Sequence, residues 1–150
     1  MQFFNKYRYT RNKTADANMS YLRGRLEIFI DQAENLTNTE TSCCGRGDAS
    51  DPYVTGKLGD DKIFKTKVIN NSLNPEWKEN FATEVDHEAK HLLINVKDKD
   101  FISSEHVGAV KISCDELMKG DKMEGWFPLK YYNTSRGKIK LSVQYLPLND

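Results

Sequence analysis

Leu26, Ile28 and Ile30 alternate with Arg25, Glu27 and Phe29. A period of two with the apolar set on one side is the mark of a strand with one buried face. The same grain recurs along the chain, at Tyr53 to Leu58, Lys62 to Ile69, Trp77 to Val85, Leu92 to Val96, Val107 to Ser113, Trp126 to Leu129 and Gly137 to Tyr145. Gly, Asn and Pro separate these runs, and Cys114 to Lys119 has room for one helical turn closed by Gly120. Short β-rich runs at even spacing predict an all-β fold, an eight-stranded antiparallel sandwich, rather than alternating β and α units. A chain of 150 residues is long enough for one such domain with a real core.

Charge narrows the functional classes. Basic and acidic residues balance at 22 each, so no global field favours nucleic acid, and any electrostatic role is local. The sequence has no apolar run of membrane-spanning length and no signal-like segment near Met1. Cys43 and Cys44 are adjacent and Cys114 stands alone, too few for a disulfide framework, which favours a reducing, cytoplasmic setting. Cys114 reads as core. Residues 1–23 precede the first clear alternation and carry Lys6, Arg8, Arg11 and Lys13 among Phe3, Phe4, Tyr7 and Tyr9. They read either as a basic-aromatic arm for an anionic membrane or as a tail or extra strand.

The stretch that carries chemistry is Leu92 to Gly108. An apolar run leads into Asp98 and Asp100, two carboxylates that leave the same face of an extended backbone. Like charges so close repel each other, and a hard cation such as calcium, which takes roughly 6–8 oxygen ligands, removes the conflict. Ser103 and Glu105 offer more oxygen, while Phe101 and Ile102 put apolar bulk in a loop that would ordinarily be polar. Two other motifs compete. His87-Glu88-Ala89-Lys90-His91 spells the zinc-protease signature, but that chemistry needs both histidines on one helical face. The apolar run that follows at once reads as strand. An EF-hand starting at Asp98 would need Gly and Glu where Ser103 and Ala109 stand. No nucleophile–base–acid arrangement stands out, so catalysis by this chain itself is not expected.

Three strings in register carry a family resemblance: Ser50-Asp51-Pro52-Tyr53-Val54, Lys65 to Trp77 with its Asn74-Pro75 turn, and Val96-Lys97-Asp98-Lys99-Asp100 with Val107-Gly108. In that order they closely resemble a C2 domain, the membrane-docking module of conventional protein kinase C and synaptotagmin. The resemblance covers roughly residues 24–147 and assigns 24–150 to the domain. Gly137 to Tyr145 looks like the strand that opens synaptotagmin-type domains, here placed last, as in the permuted (type II) form of phospholipases and novel protein kinase C.

The resemblance implies a calcium site made of Asp51, Asp98, Asp100 and Glu105, with Ser103 as an auxiliary oxygen. The family's other first-loop aspartate lies six residues before the position of Asp51, where this chain has Gly45. Asp48, three residues before, stands in a longer loop and is the alternative ligand. Bound calcium would draw anionic phospholipid, with Phe101 and Ile102 entering the interface. Lys65 and Lys67, alternating on one strand, would share a face with Tyr53 and match part of a phosphoinositide-binding patch, although Thr55 stands where that patch has a lysine. The implied behaviour is reversible recruitment from cytoplasm to membrane. A calcium-independent scaffold that binds a protein partner, its ion site decayed at Gly45, is the alternative.

Overall fold

A computed structural model describes residues 19–37, 49–99 and 106–148. Eight strands follow in order: β1 (Ser20–Glu34), β2 (Pro52–Leu58), β3 (Asp61–Lys65), β4 (Glu76–Ala89), β5 (His91–Asp98), β6 (His106–Ser113), β7 (Met123–Tyr131) and β8 (Thr134–Pro147). One short helix, α1 (Cys114–Leu117), links β6 to β7 and is capped by the Ser113 side chain accepting from the Asp115 N–H. Among the described residues no helix is long and apolar enough to cross a membrane.

Every pairing is antiparallel, and the strand order is β3-β2-β5-β6-β7-β8-β1-β4. Among the described residues β6 and β7 pair in register only at Ala109 and Lys130, so the sheet folds over there into two four-stranded layers. The far edges, β3 and β4, then face each other: Phe64 stacks on Phe81 at 4.7 Å between ring centroids, and the Thr83 hydroxyl donates to the Ile63 carbonyl. The last strand lies between β7 and β1, the permuted arrangement that the resemblance implies.

Alternation decides the core. Leu22, Leu26, Ile28 and Ile30 of β1, Leu92, Ile94 and Val96 of β5, and Ile139, Leu141 and Val143 of β8 are all buried between the layers. Trp77 joins them rather than the surface. Phe64 lies over Gly56, its cross-strand partner, and any Cβ at Gly56 would overlap that ring.

Three boundaries differ from the sequence expectation. β1 begins at Ser20, four residues before Gly24, because Leu22 continues its buried face. β4 runs on to Ala89, so His87 lies on a strand and His91 on another strand in the opposite layer, which removes the helix that zinc-protease chemistry needs. The His87 ring contacts the Leu58 carbonyl at 3.1 Å and the Asp61 carboxylate at 3.5 Å. β3, by contrast, stops at Lys65 rather than Ile69. The Thr66 N–H still donates to the Val54 carbonyl, but the Val54 N–H donates to the Thr66 hydroxyl instead of its backbone, and the ladder ends.

Strand directions put the β1–β2, β3–β4 and β5–β6 connections and the β7–β8 turn at one end of the sandwich. At the other end the chain enters and leaves side by side. The Leu148 N–H donates to the Arg23 carbonyl, and the Tyr145 hydroxyl accepts from the Arg23 N–H and donates to the same carbonyl.

Candidate functional site

Period-two arithmetic delivers Asp98 to the loop end. It follows Leu92, Ile94 and Val96 on the inner face of β5 and is fully buried, 0% exposed. Pro52 is its cross-strand partner, so Asp51 sits beside it at the mouth of the first loop. The Asp51 N–H donates to Asp98 Oδ1 at 3.1 Å, and the Lys99 N–H donates to the Asp51 carbonyl at 3.1 Å. Asp51 Oδ1 in turn accepts the Asn71 N–H at 2.6 Å. Two carboxylates are thus oriented at one end of the sandwich by backbone N–H groups, which hold anionic oxygens without adding a counter-charge.

Asn71 is the residue that sequence reasoning missed. Its φ of 55° is the left-handed region that asparagine tolerates. While its N–H holds Asp51, its own Oδ1 accepts the Ala49 N–H at 2.8 Å. Asn74 does the same for Asn35, accepting its N–H at 3.0 Å. Asparagines of the β3–β4 connection therefore brace the first loop, a role signalled only by the Asn70-Asn71 turn.

Asp48, Asp100, Phe101, Ile102, Ser103 and Glu105 lie outside the described residues. Among the described residues no three His, Cys, Asp or Glu side chains come together as a metal-binding group. Carboxylate oxygen, which Asp51 and Asp98 both offer at this end, is the donor type that hard cations take.

The second candidate surface is on the outer face of β5, β2 and β3. Lys65 Nζ sits 5.0 Å from the centroid of the Tyr53 ring. Lys67 lies past the end of β3, so the strand alternation expected to align it with Lys65 does not operate, and its N–H donates to Glu79. Other lysines complete the patch. Lys97 is the cross-strand partner of Tyr53, and Lys57 that of Lys62. Burial of its side chain, then the charges of Lys57, Lys62 and Lys65, push Lys97 below the ordinary lysine pKa. Lys57, Lys62 and Lys97 were not legible as one cluster, since only the strand register brings them together.

Known proteins give the architecture its context. Residues 24–129 match the C2 domain family. The chain is 42% identical over 155 residues to phospholipase D gamma 3 of Arabidopsis thaliana, covering 85% of this chain and 18% of that protein. It is 33% identical over 135 residues to synaptotagmin-4 of the same plant, covering 83% of this chain and 23% of that protein. The chain thus spans less than a quarter of the length of these curated relatives. Among solved structures, the calcium-bound pair of C2 domains from extended synaptotagmin 2 superposes with a TM-score of 0.71 at 27% identity, covering 84% of this chain and 46% of that one. Sequence match, strand order and the pairing of Asp51 with Asp98 agree: this chain belongs to the C2 domain family.

Proposed function

We propose that this chain is a calcium-dependent docking domain for anionic phospholipid membranes. The observation that carries the proposal is the Asp51–Asp98 pair at the loop end, where the Asp51 N–H holds the carboxylate of the fully buried Asp98 and the Asp51 carboxylate is held by Asn71. Asp51 and Asp98, with Asp48, Asp100, Glu105 and the Ser103 hydroxyl from the flanking loops, would hold the ion. Calcium would supply positive charge that headgroup phosphates share. Phe101 and Ile102 would enter the interface, each contributing about 1.5–3 kcal/mol if fully buried. In a longer protein related to the phospholipases D, such a domain would bring an enzyme to its lipid.

Asp98→Asn tests this directly, since the amide keeps Oδ1 as an acceptor for the Asp51 N–H while it removes the charge and puts an NH2 group in place of the second oxygen. Calcium at one hundred times its Kd stabilises a one-site protein by about 2.7 kcal/mol, a Tm rise of roughly 5–10 °C. We expect that rise in the native chain and its loss in Asp98→Asn, together with calcium-dependent pelleting on phosphatidylserine vesicles. A native chain that neither stabilises nor pellets in calcium sinks the proposal.

The lysine cluster favours a second reading, calcium-independent attachment to a phosphoinositide surface through Tyr53, Lys57, Lys62, Lys65 and Lys97, with Lys67 following past the end of β3. Binding of this kind persists in chelator, weakens steeply with salt, and falls in Lys65→Gln or Lys97→Gln. Binding unaffected by either substitution removes it.

A further inference from the structure

We infer that the β7–β8 hairpin is a second membrane contact, an aromatic-cationic edge that engages an anionic lipid surface without the ion. The inference rests on the membrane-docking reading above and adds a surface that the acidic loops and the lysine cluster do not include.

The hairpin turns at Tyr132 and Asn133, at the same end as Asp51 and Asp98. Tyr132 is 86% exposed, and its φ of 55° is a conformation that bulky side chains rarely adopt. An aromatic ring displayed at a turn tip, where asparagine or glycine would fold more easily, suggests a use outside the fold. Tyr131 meets it edge-on at 4.8 Å, and the Arg136 guanidinium lies 4.8 Å from the Tyr131 centroid. Farther down the edge Lys138 Nζ lies 4.6 Å from the ring of Trp126, which is 40% exposed. Lys130 is exposed on β7 beside them.

Charge names the occupant. From Gly125 to Leu148 the sequence has no Asp or Glu, yet it carries Lys130, Arg136, Lys138 and Lys140, in a chain whose net charge is zero. Of these, Lys138 is 3.5 Å from Glu34 and Lys140 is 3.9 Å from Asp31. That leaves Lys130 and Arg136, the two nearest the tip, with no ion pair among the described residues. Tyrosine and tryptophan suit the boundary between headgroup and acyl chain because one end of the ring is apolar and the other polar. Basic side chains at that depth meet anionic headgroups. Aromatics and cations displayed together on this hairpin match a lipid surface that continues the proposed docking end.

The test uses the intact chain and vesicles of phosphatidylcholine with or without phosphatidylserine, in calcium and in chelator. Arg136→Gln should weaken partition onto phosphatidylserine about fivefold in chelator, and Arg136→Lys should restore most of it, which separates charge from folding. Tyr132→Ser should weaken it further. The same losses should appear on an Asp98→Asn background. A Tyr132→Trp variant gives a reporter at the tip, and brominated lipid should quench its added emission. If hairpin variants bind like the native chain and Tyr132→Trp is not quenched, the inference fails, while calcium-dependent pelleting would leave the ion-site reading standing. If hairpin variants lose binding and Asp98→Asn loses none, the hairpin stands and the ion site falls. A native chain that binds no vesicle in either condition overturns both.

Discussion

Replacing Thr66 by valine removes one hydroxyl and keeps the shape. Thr66 is 3% exposed, and its Oγ1 accepts the Val54 N–H at 2.9 Å while donating to the Lys67 carbonyl at 2.9 Å. Val54 is fully buried, so in Thr66→Val its N–H loses its acceptor where water does not reach, at about 1–3 kcal/mol. The bond to Lys67, an exposed residue, adds about 0.5–1.5 kcal/mol, since water can replace it there. The valine methyl fills the space of the hydroxyl, so no cavity enters the sum, which comes to about 3 kcal/mol. At about 2–4 °C per kcal/mol for a domain of this size, Tm should fall by ~6–12 °C in calorimetry. Thr66→Ser keeps both bonds and should lose far less. A Thr66→Val variant within ~1 kcal/mol of native, or a serine variant just as unstable, would refute the view that this hydroxyl ends β3.

Other consequences are as direct. At Gly137, φ is 98° and an added Cβ would lie 2.6 Å from the Asn35 carbonyl oxygen and 2.7 Å from that of Glu34. Gly137→Ala should cost roughly 2–5 kcal/mol in urea unfolding; an unchanged midpoint would show that β8 can move away. Burial, then the charge of Asp115, push the Cys114 thiol up to about 12. In a Cys43→Ser/Cys44→Ser chain the remaining thiol should react with a disulfide reagent only in denaturant, and prompt native reaction would contradict its burial. Burial, followed by Lys111 and Lys90, holds His91 below its ordinary 6.5. The unfolded chain therefore binds that proton more readily, and stability should fall as pH drops through 6.5. His91→Gln should flatten that part of the stability–pH curve, and an unaltered curve would assign the effect elsewhere.

The architecture was legible because the buried faces of β1, β5 and β8 write their alternation in Leu, Ile and Val. Where it was misjudged, the cause is local. Polar neighbours obscured the first residues of β1, since Leu22 is the one large apolar side chain buried among Ser20, Tyr21, Arg23 and Gly24. The charged face of β4 hid its full length, because Asp86 and Glu88 flank His87 on a strand that buries little there. β3 ended early through a side-chain hydrogen bond that no periodicity records. For the candidate site, Asp51 and Asp98 were readable from the motif beside them. Asn71 was not, since its value lies in a backbone conformation and a bond across twenty residues. Lys57, Lys62 and Lys97 likewise became neighbours only through strand register.

The stitching of Arg23 to Tyr145 and Leu148 has a mechanical consequence. Polypeptide joined before Ser20 and polypeptide joined after Leu148 depart within a few residues of this stitch, at the pole opposite the loops. β1 runs from Ser20 to Glu34, so from Arg23 onward, at about 3.3 Å per residue, that point stands roughly 35 Å from the loop end. Anything tethered there is held at a fixed standoff from whatever surface the loops grip. A longer chain that carries this sandwich passes in and out through a single gate and feels it as a side-mounted anchor rather than a break in its course.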